Sequence, residues 1–538
     1  MQGRVKIRPL RISFVICNSK FIIHFLPLVR IDCGQGVIFL SKKLPLLYSA
    51  LVLTGVNLLL RLMGTSFQVY LSGRIGPAGM GLLQLTMSVG SLSLIAGIAG
   101  ARTATMYLTA EELGKGKRGT TGWVLSGCFL YSILCGGTVA AGLYLFAPQI
   151  AERWIGDSQV VNALRLLAVF LPVSCLCSVM TGFFTAANRI GTLAAVEVAE
   201  QLCSMAVTLA LLGIWAGEDP GRACLSVVLG SGMGSCLSLS CLMALRLRER
   251  TPLGPRIPVG KRLAGTAVPL ALADVLKAGI STTENLMVPK RLSLCEAVAD
   301  PLAAFGLLSG MVFPVLMFPA CILFGLAELL IPELARCAAG GSKTRIEYLA
   351  GKSLRLAMLY GFFFCGFMLL SADGLCLGLY GSTEAGRVLK RYALLIPMLY
   401  CDAITDAMTK GLGQQTACVR YNILTNSLDV CLLFLLLPKF GMAGYFFSFV
   451  VTHLLNFGLS LRRLLKITSL RLSPALPALT AGGCALAVAM ARLVSAPVLR
   501  FGAFATIFFC CLYLMKVVGK EDITWLFWLI SGKNSAKK

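Results

Sequence analysis

The residues of this chain that could do chemistry are ionisable groups set inside long apolar runs. A charge in hydrocarbon is costly unless it faces a cavity or a partner, so each is a candidate for function. Arg61 stands among Leu58, Leu59, Leu60 and Leu62, near the outer third of its run. Lys277 holds a comparable place later in the chain, with Asp274 one helical turn before it. These two either neutralise each other at i and i+3 or face a cavity. Arg102 lies just inside the inner end of its run, where an interfacial anchor is the alternative reading. Glu197 and Glu200, three apart, share a helix face, as do Asp402 and Asp406, four apart. The aspartates would bind a coupling cation or pack through hydrogen bonds between helices. Asp429, His453 and Asn456 complete the set, the last two read as structural. Two or more cations around one cavity attract an anion, and arginine grips phosphate with paired hydrogen bonds. The substrate-binding set is therefore Arg61, Lys277, Asp274, Arg102 and Glu200, with Asp402 and Asp406 as ion-coupling candidates.

The elements that must position these groups are membrane helices. A span needs about 20 mainly apolar residues to cross a core about 30 Å thick. Hydrophobic residues make up 57% of the 538-residue chain and charged ones 14%. About fourteen spans are legible on that criterion. The first six are Leu44 to Met63, Met80 to Ala101, Thr121 to Phe146, Leu164 to Phe184, Thr192 to Trp215 and Ala223 to Leu245. Six more follow at Leu263 to Ser281, Leu302 to Ile331, Leu354 to Leu370, Tyr392 to Met408, Tyr421 to Leu437 and Met442 to Leu464. Leu476 to Val494 and Phe501 to Val518 end the series. The period-two alternation of a membrane barrel is absent, so the expected fold is an all-α integral membrane protein. Pro269, Pro314, Pro319 and Pro397 fall inside spans, where a missing backbone donor favours a bend.

A net charge of +25 would suggest nucleic acid in a soluble chain, but here the basic residues lie between spans and follow the positive-inside rule. Both termini are expected in the cytoplasm. The 21 cysteines lie mostly inside apolar runs with no metal-ligand spacing, which fits packing. No GxxxxGK[ST] loop and no cofactor motif is present, and with only two histidines no catalytic cluster forms. Residues 1–43 mix basic groups with apolar runs too short to span and are read as an extension outside the working chain.

Internal repetition organises the spans. Leu60-Arg61 with Gly64 is echoed by Leu276-Lys277 with Gly279, and Gly81-Leu82-Leu83 by Gly306-Leu307-Leu308 about 225 positions later. The loops Ala187 to Gly191 and Gly411 to Gln415 follow at nearly the same offset. The expected architecture is two six-helix lobes in parallel repeat, at 44–250 and 251–470, plus two helices at 471–518 and a cytoplasmic tail at 519–538. A cationic cleft between rocking lobes follows from that geometry.

The run from Leu436 through Pro438, Lys439 and Gly441 to Tyr445 resembles a turn of polysaccharide flippases in the multidrug/oligosaccharidyl-lipid/polysaccharide exporter (MATE-like) superfamily. Gly182-Phe183-Phe184 through Asn188 to Glu200-Gln201, Val288 to Leu292, Pro319 through Glu333, and Met106 to Glu112 agree. They look most like the stage V sporulation protein B group, relatives of lipid II flippases. The resemblance implies transport, not enzymatic activity. An undecaprenyl-pyrophosphate-linked sugar or peptidoglycan precursor would cross a bacterial cell membrane, in sporulation or envelope synthesis. It places the family's cavity arginine at Arg61; Lys277 comes from the repeat instead. Expected partners are the polyprenyl-pyrophosphate sugar, membrane lipids and a coupling Na+ or H+, and no residue identifies a partner polymerase. The alternatives are a multidrug/cation antiporter of the same superfamily, against which Arg61 argues, and a membrane-embedded glycosyl- or acyltransferase.

Overall fold

The computed structural model describes residues 43–115, 118–216, 219–248, 254–255, 258–468, 470, 473, 475–515 and 517. The expected extension up to residue 42 and the tail after 518 lie outside the described residues. Every regular element described is helical. Helix α1 (43–75) turns at Gly76, at φ 67°, into α2 (77–98), which resumes after a break at Ala99 and Gly100 as Ala101–Gly114. Helices α3 (Thr121–Gln149), α4 (Val161–Ala186), α5 (Ile190–Leu211) and α6 (Pro220–Arg248) complete the first lobe.

The second lobe repeats this order. It begins with α7 (Gly260–Leu292) and α8, which runs from Pro301 to Met317 and, after a 64° bend, as Ala320–Ala339. Then come α9 (Lys343–Tyr380), α10 (Thr383–Ala393 and Ile396–Gly411), α11 (415–440) and α12 (442–468), the last two joined at Gly441. Helices α13 (Ala475–Ala491) and α14 (Pro497–Leu514) pack on α9 through Phe363, Phe504 and Phe508. Each expected span falls on one of these helices. Among the described residues, nine helical stretches are each long and apolar enough to cross a membrane.

Several helices outrun their apolar spans. Helix α7 continues to Leu292 rather than stopping near Ser281, and the second helix continues to Gly114 rather than Ala101. Polar residues end a hydropathy signal but not a helix, provided they face a cavity or another helix.

The apolar core shows how the lobes meet. One cluster joins Met80, Leu82, Leu83 and Leu164 of the first lobe to Phe305, Leu308, Met311 and Tyr400 of the second. These first-lobe residues lie toward the face expected to be outside. Toward the expected inner face the first lobe has a separate core, including Ala104, Leu108, Cys128 and Phe184. The start of α7, at Val259, Leu263 and Ala267, packs into that inner core, whereas its far end, at Val288 and Leu292, packs with the second lobe. Helix α7 thus belongs to both lobes, with Pro269 just beyond its inner anchorage.

The bend in α8 is stabilised by neighbours. A wide π-turn at Leu307–Val312 and the break at Pro319 disturb the helical ladder, and disturbed carbonyls need other donors. Tyr360 donates to the Pro319 carbonyl at 2.6 Å, Tyr400 to Leu316 at 3.0 Å and Tyr380 to Met311 at 3.1 Å. Pro397 sits in the first turn of Ile396–Gly411, where no donor is lost, whereas Pro314 lies within α8 just after its π-turn.

Candidate functional site

Helices α1 and α8 enclose a cavity of about 340 Å³ lined by Asn57, Leu60, Arg61, Phe324 and Glu328. Arg61 lies midway along α1 rather than in its outer third, because α1 runs on to residue 75. Its guanidinium stands over the Phe324 ring at 4.4 Å from the centroid. Asn57 Nδ2 donates to both carboxylate oxygens of Glu328, at 3.0 and 3.3 Å, which ties the two lobes together.

Helices α2 and α7 enclose a second cavity, of about 500 Å³, lined by Arg102, Asp274, Lys277 and Asn285 among others. The repeat exchanges α1 with α7 and α8 with α2, so the two cavities are counterparts about the axis between the lobes. Arg102 lines this cavity from the first turn of the segment Ala101–Gly114, just past the break at Ala99 and Gly100. Asp274 and Lys277 both line the cavity. This side is more tightly closed than the other. Thr282 and Asn285 donate to the Ser88 carbonyl and hydroxyl, and Arg262 donates to Glu111 at 2.6 Å and Glu112 at 3.0 Å.

Two smaller spaces within the first lobe neighbour these cavities. Ser91 lines both the α2/α7 cavity and a space of about 340 Å³ bounded by Leu167, Phe170 and Ser231. Ser231 also lines a space of about 230 Å³ with Glu197, Glu200, Gln201 and Leu60, and Leu60 is in the wall of the Arg61 cavity as well. Arg61 thus lines the α1/α8 cavity, Arg102, Asp274 and Lys277 the α2/α7 cavity, and Glu200 a separate space in the first lobe. Asp274 shares the α2/α7 cavity with Arg102 and Lys277, and Glu328 shares the α1/α8 cavity with Arg61. Asp274 is on the same helix as Lys277, whereas Glu328 is brought to Arg61 from the other lobe.

Asp402 and Asp406 lie elsewhere, in the second lobe, and are engaged by different partners. Asp406 pairs with Lys410 at 2.6 Å, while Asp402 accepts from Asn456 at 3.2 Å. A more concentrated polar cluster sits between α7, α11 and α12. Asp429 accepts from Ser448 at 2.5 Å and Thr452 at 3.3 Å, and its carboxyl is hydrogen-bonded to Glu284. Glu284 was missed because the apolar span of α7 ends three residues before it. Glu328 and Asn57 needed no more than the rule applied to Arg61, since both interrupt apolar runs.

The outer end is closed by backbone contact between the lobes. A Cβ on Gly306 would lie 1.9 Å from the Pro77 carbonyl oxygen, and one on Gly81 would lie 2.4 Å from that of Leu302. Lys290 adds a hydrogen bond to the Arg153 carbonyl.

The MatE family pattern matches residues 53–212. The chain is similar to stage V sporulation protein B of Bacillus subtilis (strain 168), 22% identical over 418 residues, or 75% of this chain and 80% of that protein. Among solved structures it resembles the lipid II flippase MurJ in an inward closed conformation, with a TM-score of 0.66 at 10% identity, covering 86% of this chain and 98% of MurJ. A multidrug resistance MATE family transporter of the MOP superfamily, inward-facing, gives a TM-score of 0.61 at 12% identity, covering 83% of this chain and all of that one, 100%. At these identities the likeness establishes the fold.

Proposed function

We propose that this chain, a multi-pass membrane transporter of the multidrug/oligosaccharidyl-lipid/polysaccharide exporter superfamily and not an enzyme, flips a polyprenyl-pyrophosphate-linked sugar across a bacterial cell membrane. The observation that carries this reading is the pair of cavities between the lobes, which present Arg61, Arg102 and Lys277 within a membrane-spanning bundle. A pyrophosphate sugar cannot cross hydrocarbon unaided, whereas its polyprenyl tail can stay in lipid. The α1/α8 side suits entry, because fewer polar ties cross it than cross α2/α7. Arg61 and Lys277 would hold the phosphates, with Arg102, Asp274 and Glu200 facing the sugar. The undecaprenyl carrier, a peptidoglycan precursor as cargo and a role in sporulation or envelope synthesis are the finer parts of the proposal.

With the outer ends of the lobes in contact, opening to the outside requires the lobes to rock apart there. Helix α7 must then flex, since its two ends are anchored in different cores. Coupling to Na+ or H+ is assigned to the second lobe, where the Glu284–Asp429 pair joins Asp402 and Asp406 as candidates; the hydroxyls of Ser448 and Thr452 complete oxygen ligation there. Both termini are placed in the cytoplasm by loop charge, which a reporter fused after Lys538 and active only outside would overturn.

The test is reconstitution of purified protein in liposomes with a fluorescent polyprenyl-pyrophosphate sugar in both leaflets. Protein-dependent exposure to an external quencher that fails in Arg61→Ala supports the reading. A cation antiporter is the second reading, favoured by Glu197 and Glu200 in the first lobe. Cation-dye transport against a Na+ or proton gradient, without lipid movement, would select it.

A further inference from the structure

The Arg61 cavity contains its own anion. Glu328 is on α8 one turn beyond Phe324, the ring under the Arg61 guanidinium, and lines the same space. Its carboxylate is held from the opposite lobe by a single amide group, Asn57 Nδ2. Among the described residues, no arginine or lysine forms an ion pair with Glu328, and Arg61 forms none with any acid. Cation and anion thus share one space without being joined, and each keeps capacity for a ligand.

We infer that Glu328 is a specificity-determining residue that makes this cavity select a phosphate-bearing head group carrying hydroxyl or amide donors over a bare phosphate. A bare pyrophosphate gains Arg61 but brings its charge near a carboxylate that has nothing to accept from it, and like charges at close range disfavour binding. A head group in which the pyrophosphate is joined to a sugar places phosphate on Arg61 and donates hydroxyl or amide hydrogens to Glu328, replacing the Asn57 amide. A site built to hydrogen-bond a donor rejects the analogue that lacks it, because its polar group is left unpaired. The transporter would in this way distinguish the loaded lipid carrier from the same carrier after its sugar has been removed. This rests on the flippase reading above and specifies its substrate more narrowly.

The experiment measures binding of two probes to the full chain in nanodiscs: undecaprenyl pyrophosphate, and the same lipid bearing one N-acetylhexosamine. Wild type is expected to favour the sugar-bearing probe by about tenfold or more, a difference that the loss of one well-placed hydrogen-bonded group can produce. Glu328→Gln keeps an oxygen for Asn57 and removes the charge. It is expected to bind bare pyrophosphate about tenfold more tightly while holding the sugar-bearing probe within about threefold, so that discrimination collapses. Arg61→Gln should weaken both probes together. An unchanged ratio in Glu328→Gln, or equal weakening of both probes, overturns the assignment of Glu328. Wild-type binding of both probes without preference overturns it as well. If wild type binds neither probe, the flippase reading itself falls and takes this inference with it.

Discussion

Gly81 and Gly306, the glycines matched by the internal repeat, meet each other in the fold: a Cβ on Gly306 would lie 2.4 Å from the Gly81 nitrogen and 2.9 Å from its Cα. Residues related by a two-fold relation touch their own counterparts only near the axis, as at an isologous interface. The axis between the lobes therefore passes close to this pair, and the absence of side chains there lets the outer ends of α2 and α8 pack backbone to backbone. Gly306→Ala should force the outer ends apart, because the obstructing Pro77 oxygen is backbone and cannot rotate away. Spin labels at Arg74 and Glu296 are expected to report a longer, outward-shifted distance. Gly137→Ala, whose Cβ would meet nothing within 4 Å, is the control that should leave it unchanged.

Arg262 bridges Glu111 and Glu112 at the inner ends of α7 and α2, and the Glu112 side chain is only 4% exposed. Thr120 donates a further hydrogen bond to Glu112 at 2.9 Å. Arg262→Ala leaves a buried carboxylate short of a partner and should destabilise the protein by about 2 kcal/mol, the range for hydrogen bonds to charged groups. Thermal unfolding in detergent measures this. In a double-mutant cycle with Glu112→Gln the two losses should not add, because they remove one shared interaction.

The tyrosine hydroxyls on α8 should act through geometry more than through stability. Tyr400→Phe frees the Leu316 carbonyl in a buried setting and should cost about 1 kcal/mol. Combined with Tyr360→Phe, it should also broaden the distance distribution between labels at Leu302 and Arg336, at opposite ends of the bent helix. A narrow, unchanged distribution would mean that packing alone holds the bend.

Asp429→Asn removes a carboxyl from the contact with Glu284 while retaining an acceptor for Ser448. Transport driven by a Na+ or proton gradient should fall by about tenfold or more, whereas equilibration of substrate between leaflets without a gradient should persist. Loss of both in equal measure would assign the cluster to folding.

Apolar run length determined the helices, since hydrocarbon admits only segments that satisfy their own backbone. The echo of Gly81 in Gly306 likewise disclosed the two-lobed repeat, and isolated charges such as Arg61 and Lys277 marked themselves by violating the local pattern. These are properties of single segments, legible without knowing what they touch. Tertiary structure alone decided that Arg102 lines the α2/α7 cavity, that Glu328 faces the Arg61 cavity, and that Glu284 meets Asp429. Each depends on a helix continuing past its apolar run or on which face of one helix meets another, and both are set by packing between residues hundreds of positions apart. Counting charges along the chain finds the cations together with Asp274 and Glu200, but only the crossing of helices from both lobes brings Glu328 beside Arg61.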